Sequence, residues 1–153
     1  MKFIYYVLTL GLLSANSYAG PIGPCERLRS FTLLFFTGGD DLRNNSEVII
    51  WLKTNQGDVE LQHVWGSFGN NSSNMRTVTF QNPNWNIDSC SVQGVKMRMV
   101  SHPSWPETDD NWNMDGFSLH GYAENGGFKY FISANGAPIK RFTGSSQWWE
   151  HNG

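Results

Sequence analysis

The polar and apolar positions along this chain alternate with a period of two far more often than with the longer period of a helix. Phe31 to Phe36 is a run of β formers that ends at Gly38-Gly39, and Glu47 to Lys53 is a second such run. Asn55-Gln56-Gly57-Asp58 has turn composition, and the alternation resumes from Val59 to Trp65, so these two runs read as a hairpin. A polar loop from Gly66 to Asn74 precedes a short strand, Met75 to Phe80, and residues 81–90 are irregular. From Val92 to Val100, Val95, Met97 and Met99 share one face while Lys96 and Arg98 take the other. Phe117 to Tyr122 and Phe128 to Ile132 flank the turn Glu124-Asn125-Gly126-Gly127. Asn135-Gly136 opens another turn before Ile139 to Phe142. Eight short strands without an amphipathic helix predict an all-β fold, an antiparallel β-sandwich. The sandwich should occupy residues 30–144, with an N-terminal arm at 20–29 and a polar tail at 145–153.

The first residues have a different character. Lys2 followed by the apolar stretch Phe3 to Leu13 is too short to span a bilayer, and Ser17-Tyr18-Ala19 offers small residues for cleavage. Residues 1–19 read as a signal peptide, which predicts a secreted protein, extracellular or periplasmic, with no transmembrane segment. What remains is enough for one core. Lys2 belongs to the leader, so 10 basic side chains face 13 acidic ones in the mature chain. That balance, with no Lys/Arg block, argues against a nucleic-acid partner. Cys25 and Cys90 are the only cysteines, and export makes a Cys25–Cys90 disulfide the default.

Two acidic, asparagine-rich loops carry the strongest chemical signal. One is Thr37-Gly38-Gly39-Asp40-Asp41-Leu42-Arg43-Asn44-Asn45-Ser46-Glu47, and the other is Glu107-Thr108-Asp109-Asp110-Asn111-Trp112-Asn113-Met114-Asp115. Brought together, Asp40, Asp41, Asp109, Asp110 and backbone carbonyls near Gly38 form a candidate Ca²⁺ site, since this cation takes six to eight oxygens. The competing reading is ordinary turn chemistry, with Arg43 neutralising one carboxylate.

Parts of these segments resemble the PLAT/LH2 domain, a β-sandwich related to C2 domains. Phe36-Thr37-Gly38-Gly39-Asp40 with Ser46 to Leu52 is similar to that family's first strand, Thr-Gly-Asp-type loop and second strand. Asp110-Asn111-Trp112-Asn113-Met114-Asp115-Gly116-Phe117-Ser118-Leu119 is similar to its later acidic-Trp-x-Leu-Asp motif. The resemblance covers about residues 31–122, and Leu42-Arg43-Asn44-Asn45 departs from the family's small-residue stretch. It implies a PLAT/C2-like sandwich, a Trp112 packed at the sandwich end, loops able to hold Ca²⁺, and contact with lipid, membrane or protein partners.

Seven tryptophans are many for this length. Trp51 and Trp65 fall in strand patterns and are expected in the core. Trp85, Trp105 and Trp112 fall in loops, and Trp148 and Trp149 in the tail. Trp105, Trp148 and Trp149 are the candidate ligand-binding residues, because an exposed indole suits a sugar ring or a membrane interface. None of the four histidines, His63, His102, His120 and His151, stands in a catalytic signature. The expectation is a secreted binding module, with Ca²⁺ as its candidate support, meeting a membrane lipid, glycan or protein through its loop end. The alternatives are a small hydrolase using His102 with Asp109 or Asp110, and a toxin-accessory or inhibitor protein acting by contact alone.

Overall fold

The computed structural model describes residues 23, 25–79 and 86–153. Eight strands follow in chain order: β1 (Leu28–Thr37), β2 (Ser46–Thr54), β3 (Gly57–Trp65), β4 (Ser73–Thr79), β5 (Val92–Ser101), β6 (Trp112–Ala123), β7 (Phe128–Phe142) and β8 (Trp148–Asn152). They form two four-stranded antiparallel sheets, ordered β4-β1-β6-β7 and β3-β2-β5-β8, and no helix occurs among the described residues. The expected sandwich is therefore present, built from strands that alternate as the sequence does.

The core lies between the sheets. Phe31, Leu33 and Phe35 of β1 and Phe117 and Leu119 of β6 face Val48, Ile50 and Leu52 of β2 and Val95, Met97 and Met99 of β5, all buried. Trp112 closes one end of this core and is fully buried. Its ring stacks on Phe142 with centroids 5.2 Å apart, and its Nε1–H donates to Thr37 Oγ1 at 3.1 Å.

Four sequence expectations need correcting. Trp51 and Trp65 are not core residues. Period-two alternation that turns Val48, Ile50 and Leu52 inward turns Trp51 outward, and burial of Val64 leaves Trp65 52% exposed. Trp112 is not in a loop but begins β6, five residues earlier than expected. The two runs 128–132 and 139–142 belong to one strand, β7, interrupted by an irregularity beside Asn135 rather than by a reversing turn. The segment read as a tail forms β8, paired with β5 from Gly94↔Asn152 to Arg98↔Trp148. Five alternating residues, with Trp149 packed against the core and Trp148 outside, were too few to announce a strand.

At the other end of the sandwich Cys25 and Cys90 form a disulfide, with Cα atoms 4.7 Å apart. The backbone beside it pairs as well, with Ser89 N–H donating to the Glu26 carbonyl at 2.9 Å and Leu28 N–H to the Ile87 carbonyl at 2.8 Å. The residues read as a signal peptide, and Trp85, lie outside the described residues.

Candidate functional site

The strand registers bring the β1–β2, β3–β4, β5–β6 and β7–β8 connections to the end of the sandwich opposite the disulfide. The two acidic loops meet there. Gly38 N–H donates to the Asn113 carbonyl at 2.8 Å, and Asn113 N–H donates to the Asp40 carbonyl at 3.1 Å. Asp110, though buried, is satisfied by one partner on two sides. Arg43 Nε donates to Oδ1 at 2.7 Å and the Arg43 backbone N–H to Oδ2 at 2.9 Å. The hydrogen bond it donates to the Asp110 carboxylate holds the Arg43 guanidinium above its ordinary pKa, against the opposing pull of burial. Asp40 pairs with Arg141 at 2.9 Å, and Arg141 also donates to Asn113 Oδ1 at 2.7 Å.

The five residues predicted as Ca²⁺ ligands thus gather at one end without forming a shared cage. Asp40 and Asp110 are committed to arginines. The Gly38 carbonyl accepts from Asn71 N–H at 2.8 Å. Asp109 packs where a Cβ on Gly144 would sit, and Asp41 lies near enough to Arg43 only to add to its stabilisation. Among the described residues no group of three or more His, Cys, Asp or Glu side chains is placed to hold a metal ion. A donor set in which Asp40 and Asp110 are already paired with arginines, and in which the carboxylates form no shared cluster, does not fit a cation that needs six to eight converging oxygens.

The predicted ligand-binding tryptophans separate. Trp105 is 94% exposed, at the tip of the β5–β6 loop. The loop is fastened below it, as Asn45 Nδ2 donates to Glu107 Oε2 at 2.7 Å, Arg43 reaches the Thr108 carbonyl at 3.1 Å, and Asp110 N–H donates to Ser101 Oγ at 2.9 Å. Trp148 instead lies on the outer face of the second sheet, its ring 5.5 Å from that of Trp51, with Lys96 and Arg98 at 4.9 and 5.5 Å. Trp149 turns the other way and meets Phe117 edge-on.

One cluster escaped the sequence reading. Glu47 is 7% exposed and lies between two imidazoles, with His63 Nδ1 at 2.7 Å from Oε2 and His102 Nε2 at 3.1 Å from Oε1. Burial alone would raise the Glu47 pKa, but the bonds from His63 and His102 outweigh it and hold the carboxyl below its ordinary value. His63 is raised, first by its bond to Glu47 and, after the opposing effect of burial, by Glu60. His102 therefore bonds Glu47 rather than Asp109 or Asp110, so the acid–base pair imagined for a hydrolase is not assembled. The clue was there in the register: Glu47 opposes Trp65 across the hairpin, two residues from His63.

Two sheets, end-loaded loops and a buried loop-end tryptophan decide the architecture. The fold is PLAT/LH2-like, related to C2 domains. Solved structures bear this out at low sequence identity. Alpha toxin from Clostridium absonum superposes with a TM-score of 0.59 at 14% identity, over 89% of this chain and 34% of the toxin. The Clostridium perfringens alpha-toxin from avian strain SWCP gives 0.51 at 14% identity, over 91% and 33%. A lipoxygenase in complex with arachidonate gives 0.53 at 14% identity, over 81% and 16%. The chain spans about a third of the toxins and about a sixth of the lipoxygenase. No family model and no curated protein matches the sequence. Among the described residues of the PLAT/LH2-like domain, no helix is long and apolar enough to cross a membrane.

Proposed function

We propose that this PLAT/LH2-like domain is a secreted docking module that meets a lipid bilayer surface through its loop end, with Trp105 entering the interfacial layer. The observation that carries this reading is Trp105 itself, a large apolar ring 94% exposed on a loop that is tied down around it. An indole left in water by a fastened loop loses little freedom on insertion, and tryptophan favours the headgroup region. The disulfide suits an oxidising compartment and so supports export.

Charge narrows the surface. Asp40, Asp41, Glu107, Asp109 and Asp110 crowd this end against Arg43 and Arg141, so anionic headgroups would be repelled. The contact is with a zwitterionic bilayer, and the arginines take the structural place that a bound Ca²⁺ would otherwise fill. The test is cosedimentation of the mature, oxidised protein with phosphatidylcholine vesicles, with Ca²⁺ or with chelator. Binding should be the same in both and about tenfold weaker for W105A, the loss expected when one large apolar side chain is no longer buried. Binding that requires Ca²⁺ would restore the metal to the site, and binding unchanged in W105A would remove the insertion.

A further inference from the structure

On the outer face of the first sheet, beside the loop end, lies an open depression of about 510 Å³. That volume is within the range of small-molecule clefts. Of the residues lining it, only Phe36 and Gly136 lack a hydrogen-bonding side chain. Its geometry comes from a break in two strands at once. Gly116 pairs with Phe36 on one side and Asn135 on the other, whereas Met114 pairs with Thr37 and Lys140. Asp115 is thus the extra residue on β6, and residues 136–139 are extra on β7. Such bulges re-aim side chains and recur beside binding sites. At the centre Gly116 has no side chain, and Phe36 and Asn135 lean over it: a Cβ there would stand 2.9 Å from Phe36 Cδ2 and from Asn135 Oδ1.

Among the polar lining side chains of the described residues two are committed, while Asn71, Ser73, Asp115 and Asn135 are not. Thr37 Oγ1 is occupied by Trp112, and Ser72 Oγ is shared between the Gly69 carbonyl and Asn74. Asp115 and Asn135 have no side-chain hydrogen bond or ion pair among the described residues, although both line the depression. A carboxylate that accepts, an amide that both donates and accepts, and a phenyl ring 37% exposed beside them have a common complement. It is a molecule with hydroxyls along its edge and an apolar C–H face.

We propose that this depression is a binding site for a neutral saccharide, one pyranose ring seated against Phe36 with its hydroxyls shared between Asp115 and Asn135. The ring is neutral because Asp115 would repel an acidic sugar or a phosphate and no Lys or Arg lines the site. It is not an apolar ligand, because the walls would then lose their hydrogen bonds to water without replacement. The site is separate from Trp105 and goes beyond lipid contact.

The experiment is amide chemical-shift mapping of the mature, oxidised protein titrated with the methyl α-glycosides of glucose, galactose and mannose, with glycerol as the control polyol. At least one glycoside should give saturable shifts at Phe36, Asn71 to Ser73, Asp115, Asn135 and Gly136, and glycerol should not. D115N and N135A lie on the surface and should each weaken binding about tenfold, whereas W105A should bind sugar as before while binding vesicles about tenfold more weakly. No saturation with any of the three, equal shifts with glycerol, or wild-type affinity in both pocket variants overturns the proposal. So does a W105A protein whose binding of sugar and of vesicles weakens together.

Discussion

The two ends of the sandwich are held by different means. At one end a covalent bond, Cys25–Cys90, joins an arm to a connection, beside backbone pairs at Glu26–Ser89 and Leu28–Ile87 and short-range side-chain bonds such as those from the Cys90 and Ser91 N–H groups to Asp88 Oδ1. At the other, four connections are knitted by ion pairs and side-chain bonds, Arg43–Asp110, Arg141–Asp40 and Asn45–Glu107, over a plug of aromatic rings centred on Trp112. A disulfide fixes two points and leaves the surface between them free to vary. A charge network fixes the shape of several loops at once, which is what a surface that presents one exposed ring requires. Trp112 and Trp105 show the division within a single end: seven residues apart, one is fully buried and the other almost fully exposed.

The largest effect should come from Trp112. W112A removes a fully buried ring in contact with Phe35, Phe68 and Phe142 and leaves a cavity, a change that costs about 3–5 kcal/mol in comparable cores. W105A should stay within about 0.5 kcal/mol of wild type, since nothing packs on it. Denaturant unfolding of the two variants measures the contrast. If W112A costs less than about 1 kcal/mol, the loop-end plug is not a structural element and the contrast between the tryptophans fails.

The disulfide should come next. Replacing both cysteines by serine opens a link spanning 65 residues and should cost about 2–4 kcal/mol, chiefly by freeing the unfolded chain. Its local signature matters more than its size. Hydrogen exchange should rise at Leu28 and Ser89, whose N–H groups pair beside the bond, and should stay unchanged at Arg43 and Asn113. Equal loosening at both ends would mean the two are mechanically coupled, and the separation drawn above would not hold.

How much of this the chain announced depends on the range of the interaction. Val48, Ile50 and Leu52, or Val95, Met97 and Met99, declare their strands because the signal is local and periodic. The same rule should have placed Trp51 outside, but bulk hydrophobicity pulled the expectation inward. The convergence of the two acidic loops was legible in their composition and in the resemblance of Phe36 to Asp40 and Asp110 to Leu119. That Arg43 and Arg141 would claim Asp110 and Asp40 was only half legible, since Arg141 arrives from β7, about a hundred residues from Asp40. The depression at Asp115 was not legible at all. It depends on a register shift between β6 and both of its neighbours, which leaves no mark in any one strand.

The smallest effect concerns Glu47, His63 and His102, which tie the loop end to the outer face of the second sheet. His63 is held above its unfolded value of 6.5, so its contribution is complete below that pH and disappears as pH rises through the raised pKa. Glu47 is held below its unfolded 4.5, so its contribution is complete above that pH and disappears as pH falls through the lowered one. Both are whole between 4.5 and 6.5. His120 works the other way: burial lowers it, so its charging as pH falls below 6.5 disfavours the fold. The pH profile of the wild type alone therefore mixes two opposed histidines, and the difference between wild type and H63Q isolates one. That difference should be largest near pH ~5.5 and no more than about 1 kcal/mol, because His63 is half exposed and its pairs with Glu47 and Glu60 are screened. It should shrink toward alkaline pH. A gap that is independent of pH would mean that His63 acts only by packing. One that widens with pH would reverse the sign of the linkage and detach the cluster from the charge network that holds the loop end.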